Sequence, residues 1–382
     1  MRWTIAGVFG ALVALAVGGR ARAVTPACSS LPNPVYVMAA DTDEPLLKYL
    51  GTKLRASTVN PMTLVYVLNG SCTNISAMYT GQKITTNPSY VPSQADDPGW
   101  DPTQASLSCA IDPAGVSPDL ASSAIFVSSC TTTPMPAPIS VALGPISPGV
   151  FVVPATGSDQ VGITAEEAYF VFGFGDADQV TPWNDTTSMF IRPSTKSTLI
   201  MTAAYIDVPP SKWQGTAEAG SAAVVSAIEA PPASAAEKTI GILDTSVYDQ
   251  IRGMVTALAF RAFQQNYGYF PDSTSQTRDK RNVRDGHYVI WRQNNFLAPT
   301  TDANGMYLMG LLSDTAVSPA PDFDPVAAVI AAGDVPTCAM TVTRSTDGGD
   351  LSLYAPPAPC GCYYESVVGT PPASCVACST GA

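Results

Sequence analysis

His287 is the only histidine in the chain, and this limits the chemistry the sequence can perform. A Ser-His-Asp or Cys-His nucleophile would have to use it. Metalloprotease motifs need more than one histidine and are excluded. No G-x-S-x-G elbow or Walker-type glycine-rich loop is present. His287 lies in GHYVIW beside aromatic residues, where a structural role is expected. Cysteine is the second reactive type. Cys28, Cys72, Cys109 and Cys130 fall in the first third, and Cys338, Cys360, Cys362, Cys375 and Cys378 crowd the C-terminal end. The tail reads C-x-C-x12-C-x2-C, a spacing open to zinc or to disulfides. With export expected and no histidine nearby, disulfides are preferred: at least three, with the partners of Cys360 and Cys362 among Cys338, Cys375 and Cys378. Nine is odd, so one thiol is unpaired, buried or used between chains. No catalytic, metal or cofactor site follows from these residues.

Charged clusters give two further candidates. Arg278, Lys280, Arg281 and Arg284 could form an anion or partner patch; a solvated loop paired with Asp279 and Asp285 is the preferred reading. Asp41, Asp43 and Glu44, and the acidic run at 175–178, lack EF-hand spacing and read as surface carboxylates. Asn69, Asn74 and Asn184 head N-x-S/T sequons, relevant only in a eukaryotic secretory pathway.

The N-terminus sets the compartment. Arg2, an apolar run over residues 5–17 and Ala21-Arg22-Ala23 read as a signal peptide cleaved near Ala23. The product is expected to be periplasmic or secreted, in an oxidising environment. About 360 mature residues suggest two lobes. No second long apolar stretch exists, so no membrane insertion of the mature chain is expected. A net charge of −12 argues against nucleic acid and anionic membranes as partners. The 34 prolines point to long surface loops.

Periodicity places the elements. PVYVMAA over residues 34–40 and TLVYVL over 63–68 are buried-type strands. Between them, residues 45–56 carry Leu46, Leu47, Leu50 and Leu54 on one helical face. This is a βαβ start with a parallel sheet. Residues 81–118 read as loops with short strands, 123–127 as a third strand, and 145–154 as a strand leaving the first lobe. Thr164 and Glu167 fit a capping box. Then come a strand at 189–192, helices at 194–206 and 215–230, a strand at 239–243 and a long amphipathic helix at 247–267. A strand at 286–291 returns to the first lobe, and 325–332 is helical.

In their order and spacing, these stretches resemble the type II periplasmic binding proteins of the phosphate-binding branch. The resemblance is carried by VYVMAADTDEPLLKYL, LVYVLNGSC, ITAEEAYFVFG with TPW after it, FIRPSTKST, GILDTSVYD and DGHYVIW. It covers roughly residues 34–335; the Cys-rich tail lies outside it. It implies an α/β fold of two lobes, each with a central, mostly parallel sheet flanked by helices. Lobe 1 would comprise 24–148 and 285–336, lobe 2 would comprise 149–284, and the tail 337–382. Ligand would sit between the lobes, where helix N-termini offer unpaired amides to an anion.

The resemblance also implies site residues. The family's first Gly-Ser-Thr-like turn falls on Ala39, Ala40, Asp41 and Thr42, and the second turn on Asn69, Gly70 and Ser71. Its Ser-Asp pair falls on Ser123 and Ala124, and its Arg-x-x-x-Ser-Gly-Thr segment on Arg192, Lys196, Ser197 and Thr198. Arg192 would supply a rigid fork for two oxygens. The chain departs from the pattern where Ala124 removes an acceptor, Ala40 a hydroxyl, and Asp41 to Glu44 place negative charge beside the anion. Each lost charged hydrogen bond costs about 1.5–3 kcal/mol, roughly ten- to hundredfold in affinity. Two readings result. One is a non-enzymatic solute-binding protein for a small oxyanion such as phosphate, serving uptake or sensing with an ABC-transporter permease. The other is an extracytoplasmic structural or interaction protein that has lost phosphate binding, with the tail facing a cell-surface partner. A secreted hydrolase is disfavoured, because acid–base chemistry usually recruits histidine.

Overall fold

A computed structural model describes residues 25–177 and 180–369. The expected signal segment, Asp178, Cys375 and Cys378 lie outside the described residues.

The chain starts with β1 (Pro34–Ala40), α1 (Glu44–Ala56) and β2 (Thr63–Asn69). β1 and β2 pair in parallel along their whole length, from Pro34 opposite Thr63 to Ala40 opposite Asn69. Both are apolar almost throughout because helices cover a parallel sheet on its faces. α1 buries Leu46, Leu47, Leu50 and Leu54, the predicted stripe. Next come α2 (Ser71–Thr80), the two-residue strands β3 (Ser89–Tyr90) and β4 (Leu107–Ser108), and β5 (Leu120–Ser123). β5 stands earlier than the expected 123–127 strand; after it the chain turns.

β6 (Ile139–Pro154) is 16 residues long and belongs to both halves of the molecule. Beyond it lie β7 (Gly162–Thr164), α3 (Ala165–Phe174), β8 (Met189–Ile191), α4 (Ser197–Ile206), β9 (Thr216–Ala217), α5 (Ser221–Glu229), α6 (Ala233–Ala236), β10 (Ile240–Asp244) and α7 (Thr245–Tyr248). The predicted capping box is present: Thr164 Oγ1 accepts from Glu167 N, and the Glu167 carboxylate accepts from Thr164 N.

The long helix expected at 247–267 does not exist. α7 ends at Tyr248, and β11 (Val255–Ala257) and β12 (Ala259–Arg261) follow. Gly253 weakens a helix there, and Val255, Ala257 and Phe260 are buried with a two-residue alternation at the start. β6 and β7 offer edges on which these segments pair. The expected strand at 286–291 is displaced too. After α8 (Arg281–Arg284), β13 runs over Trp291–Pro299 and pairs antiparallel with β6 and β5. Its sequence starts WRQNN, and Arg292, Gln293, Asn294 and Asn295 are all buried.

α9 (Ala303–Leu312) and α10 (Pro325–Ala331) return to the first half, with α10 against α1. The last described segment carries the hairpin of β14 (Val342–Thr343) and β15 (Ser352–Leu353), then α11 (Gly361–Val368). The main sheet runs β4-β3-β2-β1-β5-β13-β6-β10-β8-β9, with β11 also on β6. β13 and β6 thus stand between a first half around β1, β2 and β5 and a second half around β8 and β10.

Among the described residues, three disulfides join Cys28 to Cys109, Cys72 to Cys130 and Cys338 to Cys360. The last fits the expectation that Cys360 pairs within the C-terminal group. Disulfides fit an oxidising compartment. Among the described residues, no helix is long and apolar enough to cross a membrane.

Candidate ligand seat between the two halves

Four turns converge between the halves. The first is the single 3-10 turn Asp41–Asp43 between β1 and α1. The second, at Gly70, leads from β2 into α2. The third follows β5, and the fourth runs from β8 through Arg192 to α4. The turns at Gly70 and before α4 face each other: a Cβ on Gly70 would lie 3.6 Å from the carbonyl oxygen of Thr195.

Arg192 is 2% exposed and works as a fork. Its Nη1 donates to Ser221 Oγ at 2.8 Å, and its Nη2 donates to Asp41 Oδ2 at 2.9 Å and to the Ala219 carbonyl at 3.2 Å. Its Nε has no hydrogen-bond partner. Lys196 Nζ reaches the same Asp41 Oδ2 at 3.1 Å. Lys196 stands at the N-cap of α4 in extended conformation, and no side chain caps that helix. Two cations from the second half therefore hold one carboxylate oxygen from the first.

The remaining sequence-derived residues are placed as follows. Thr42 Oγ1 is buried and without a partner. Ser71 Oγ accepts from Ala124 N at 3.0 Å, and Ser123 Oγ donates to the Ile125 carbonyl at 2.7 Å, so both hydroxyls hold the turn after β5. Ser197 is buried, and Thr198 Oγ1 donates to Asp244 Oδ2 at 2.5 Å. The structure thus brings Asp41, Arg192 and Lys196 into direct contact, with Gly70 close by; Ser71, Ser123 and Thr198 are engaged with the scaffold.

A buried polar network beside the seat was not anticipated. Arg292 pairs through Nη1 with Asp244, and Ser147 Oγ donates to Asp334 Oδ1 at 2.5 Å. Arg292 and Ser147 sit opposite each other in the β13–β6 ladder, between the halves. Burial pushes the Asp43 carboxyl up to about 6, while Ser122 and Arg292 pull it down. Burial also pushes Asp334 up to about 7 against the pull of Ser147. Arg292 Nε and Nη2 and both amide atoms of Asn294 have no hydrogen-bond partner. The available signal was the RQNN run at 292–295, directly after the strand expected at 286–291.

Two charge readings need correction. Lys280 and Arg284 are not solvated. Lys280 is 1% exposed and bonds Asp249 at 2.6 Å and Asp272 at 3.1 Å. Arg284 bonds Glu365 at 2.9 Å and the Ala339 carbonyl at 3.0 Å, tying the C-terminal segment down. A basic side chain in a Pro- and Ser-rich loop looks solvated in sequence because its carboxylate partners are distant in the chain. Asp41 and Asp43 are likewise not plain surface carboxylates: Asp41 is an inter-half counter-ion, and Asp43 is buried. Asn74 is fully buried and donates to the Ser122 carbonyl at 3.0 Å, which closes that sequon in the folded protein. His287 is half-exposed, with Nδ1 2.7 Å from Asp285 Oδ1 and its ring against Tyr269. Among the described residues, no group of three or more His, Cys, Asp or Glu side chains is placed to hold a metal ion.

No protein-family profile and no curated protein matches the chain. Solved structures do. A phosphate ABC transporter substrate-binding protein with bound phosphate from Clostridium perfringens is similar at a TM-score of 0.53, with 10% identity over 80% of this chain and 100% of that one. An ABC-type phosphate transport receptor from Vibrio cholerae is similar at 0.50, with 11% identity over 79% of this chain and 99% of that one. At such identities the likeness speaks for the fold alone, and the fold is the two-lobed periplasmic-binding-protein arrangement, with helix-flanked sheets joined through long shared strands.

Proposed function

We propose that this chain is an extracytoplasmic, non-enzymatic solute-binding protein that takes a small oxyanion, such as phosphate or a substituted phosphate, at Arg192, Lys196 and the start of α4. One observation carries the reading: Arg192 and Lys196 converge on a single carboxylate oxygen, so the position already holds an oxyanion in the form of a side chain. Arg192 and Lys196 from one half, with Lys196 itself at the uncapped start of α4, form a surrounding that favours negative charge. In this reading lobe 1 comprises 24–148 and 285–336 and lobe 2 comprises 149–284, with β6 and β13 as the crossing segments and an ABC-transporter permease as the partner for uptake.

Calorimetry with phosphate, sulfate and methylphosphonate tests this. The wild-type protein binds at least one of them at millimolar concentration or tighter, and Arg192→Ala abolishes binding while the circular dichroism of the fold is kept. A wild-type protein that takes none of the three overturns the carrier function. A specific observation then favours the second reading, a structural or interaction protein on a binding-protein fold. Asp41 fills the seat from within, and Ala124 places a methyl group where the family resemblance implies an acceptor.

A further inference from the structure

We infer that Asp41 is a tethered competitor for the seat: its carboxylate occupies the ligand's place and yields only to a small dianion. The inference rests on the oxyanion reading of Arg192 and Lys196. Arg192 and Asp41 differ in mobility. Arg192 is 2% exposed and fixed by Ser221 and the Ala219 carbonyl as well as by Asp41. Asp41 is 23% exposed, on a three-residue turn, so its side chain can rotate toward water without stranding a buried charge. Arg192 therefore stays in place when Asp41 turns outward, and Lys196, 24% exposed, can re-aim at an incoming anion.

Charge counting sets which ligand displaces it. With Asp41 in place, two cations face one negative charge. A monoanion that replaces Asp41 leaves that balance unchanged and must also give up its translational freedom, while Asp41 is already tethered at high effective concentration. A dianion neutralises both cations and releases Asp41 to solvent. The orphan Nε of Arg192, buried with its guanidinium, is a further donor that Asp41 leaves unused. A ligand with several oxygens on one centre can meet more of these donors than a carboxylate sharing one oxygen.

Competition has a signature that direct ligand contact lacks. Removing a competitor raises the affinity for every ligand of the seat by one common factor. The probes are sulfate and hydrogenphosphate at about pH 8 as dianions, and nitrate and formate as monoanions, titrated at constant ionic strength. The expected wild-type result is binding of the dianions, with the monoanions about tenfold weaker or more. Asp41→Ala should bind sulfate and nitrate more tightly by the same factor, about tenfold or more. Asp41→Asn, which keeps the shape and an acceptor, serves if the alanine variant is poorly folded, and should show the same direction.

The outcomes separate the inference from the function it builds on. Wild type silent with Asp41→Ala binding supports the competitor and overturns the carrier function. Wild type binding with Asp41→Ala unchanged or weaker keeps the function and overturns the competitor. A gain confined to one charge class also overturns it, because Asp41 would then be touching bound ligand. No binding by any of the proteins overturns both.

Discussion

The two halves are held together by different means. In the first half, β3 and β4 are two residues each, and the long polar connections around them are anchored by a few buried side chains, Ile84, Tyr90, Val91 and Trp100. Two disulfides, Cys28–Cys109 and Cys72–Cys130, close loops of 81 and 58 residues there. The second half has an aromatic interior instead. Phe151 stacks on Phe172 at 5.5 Å, Phe172 on Trp213 at 4.7 Å, and Phe260 lies 5.8 Å from Phe151. It also encloses a charge quartet, with Lys280 and Arg252 bonded to Asp249 and Asp272. The disulfide Cys338–Cys360 lies in the C-terminal segment that packs against it. Long polar loops leave much freedom in the unfolded chain, and covalent closure removes it. Where aromatic side chains fill the interior, burial supplies the stability directly.

This difference is broken most strongly from the first half. Each of its disulfides is worth about 3–5 kcal/mol at these loop lengths. A Cys28→Ser, Cys109→Ser, Cys72→Ser, Cys130→Ser variant should lose protease protection first within residues 81–118, read by the masses of the early fragments. Early cuts in 189–260 instead would show that the first half stands without its staples.

The matching break in the second half is Lys280→Ala. It leaves Asp249 and Asp272 with Arg252 alone and strands carboxylate charge in a nearly closed space. Removing one member of a buried ion group costs about 3–5 kcal/mol. Thermal unfolding should show the loss. Lys280→Met, which restores packing without the charge, should destabilise as well, since the acids remain. A melting temperature within a degree of wild type for both variants would mean the quartet contributes nothing.

Protonation sharpens the comparison. Burial raises Asp43 to about 6, Asp119 to about 7 with its neighbour Asp302 adding to the rise, and Asp334 to about 7. All three lie in the first half or at the junction. Their ordinary value is 3.8, so between about pH 4 and pH 7 the unfolded chain has released protons that the folded chain still holds. Stability from these groups is therefore present at low pH and lost as pH rises through that window. Asp322, held down to about 2 by Ser57 and Thr58, acts only below it and with the opposite sign. The melting temperature should fall by about 5 °C from pH 5 to pH 8, and Asp334→Asn should flatten the fall. A rise over that range would reverse the assignment.

Apolar periodicity made the first half readable. β1, α1 and β2 stand where the runs of Val, Tyr and Leu put them, because a parallel sheet covered on both faces needs uninterrupted apolar strands. Thr164 and Glu167 announced α3 through a local contact. Reading failed where tertiary edges decided. Residues 255–261 form strands because β6 and β7 present open edges, and β13 carries buried Arg292 and Asn294 that no periodicity marks as interior. The site was legible in part. Arg192 and Lys196 were named through the family resemblance, and Asp41 was flagged for its charge. That this charge would itself sit on Arg192 depends on how close the halves come, 151 residues apart in sequence. Asp244 and Asp334 carry no signal in the chain, since each becomes unusual only through burial beside Arg292.

The smallest effect belongs to the only histidine. His287 lies next to the second half's charge quartet in sequence but contributes none of its bonds. Its side chain is 53% exposed, Nδ1 is 2.7 Å from Asp285 Oδ1, and the ring centroid is 5.0 Å from that of Tyr269. An exposed pair of this kind is worth about 0–1 kcal/mol and is screened by salt. His287→Ala should therefore shift the melting temperature by about one degree at most and leave anion affinity unchanged. Calorimetry and a thermal melt on the same sample decide it. If anion binding fell while the melt held, the ring would be taking part in the chemistry of the cleft, and the contrast between cations held for structure and cations held for ligand would have to be redrawn around it.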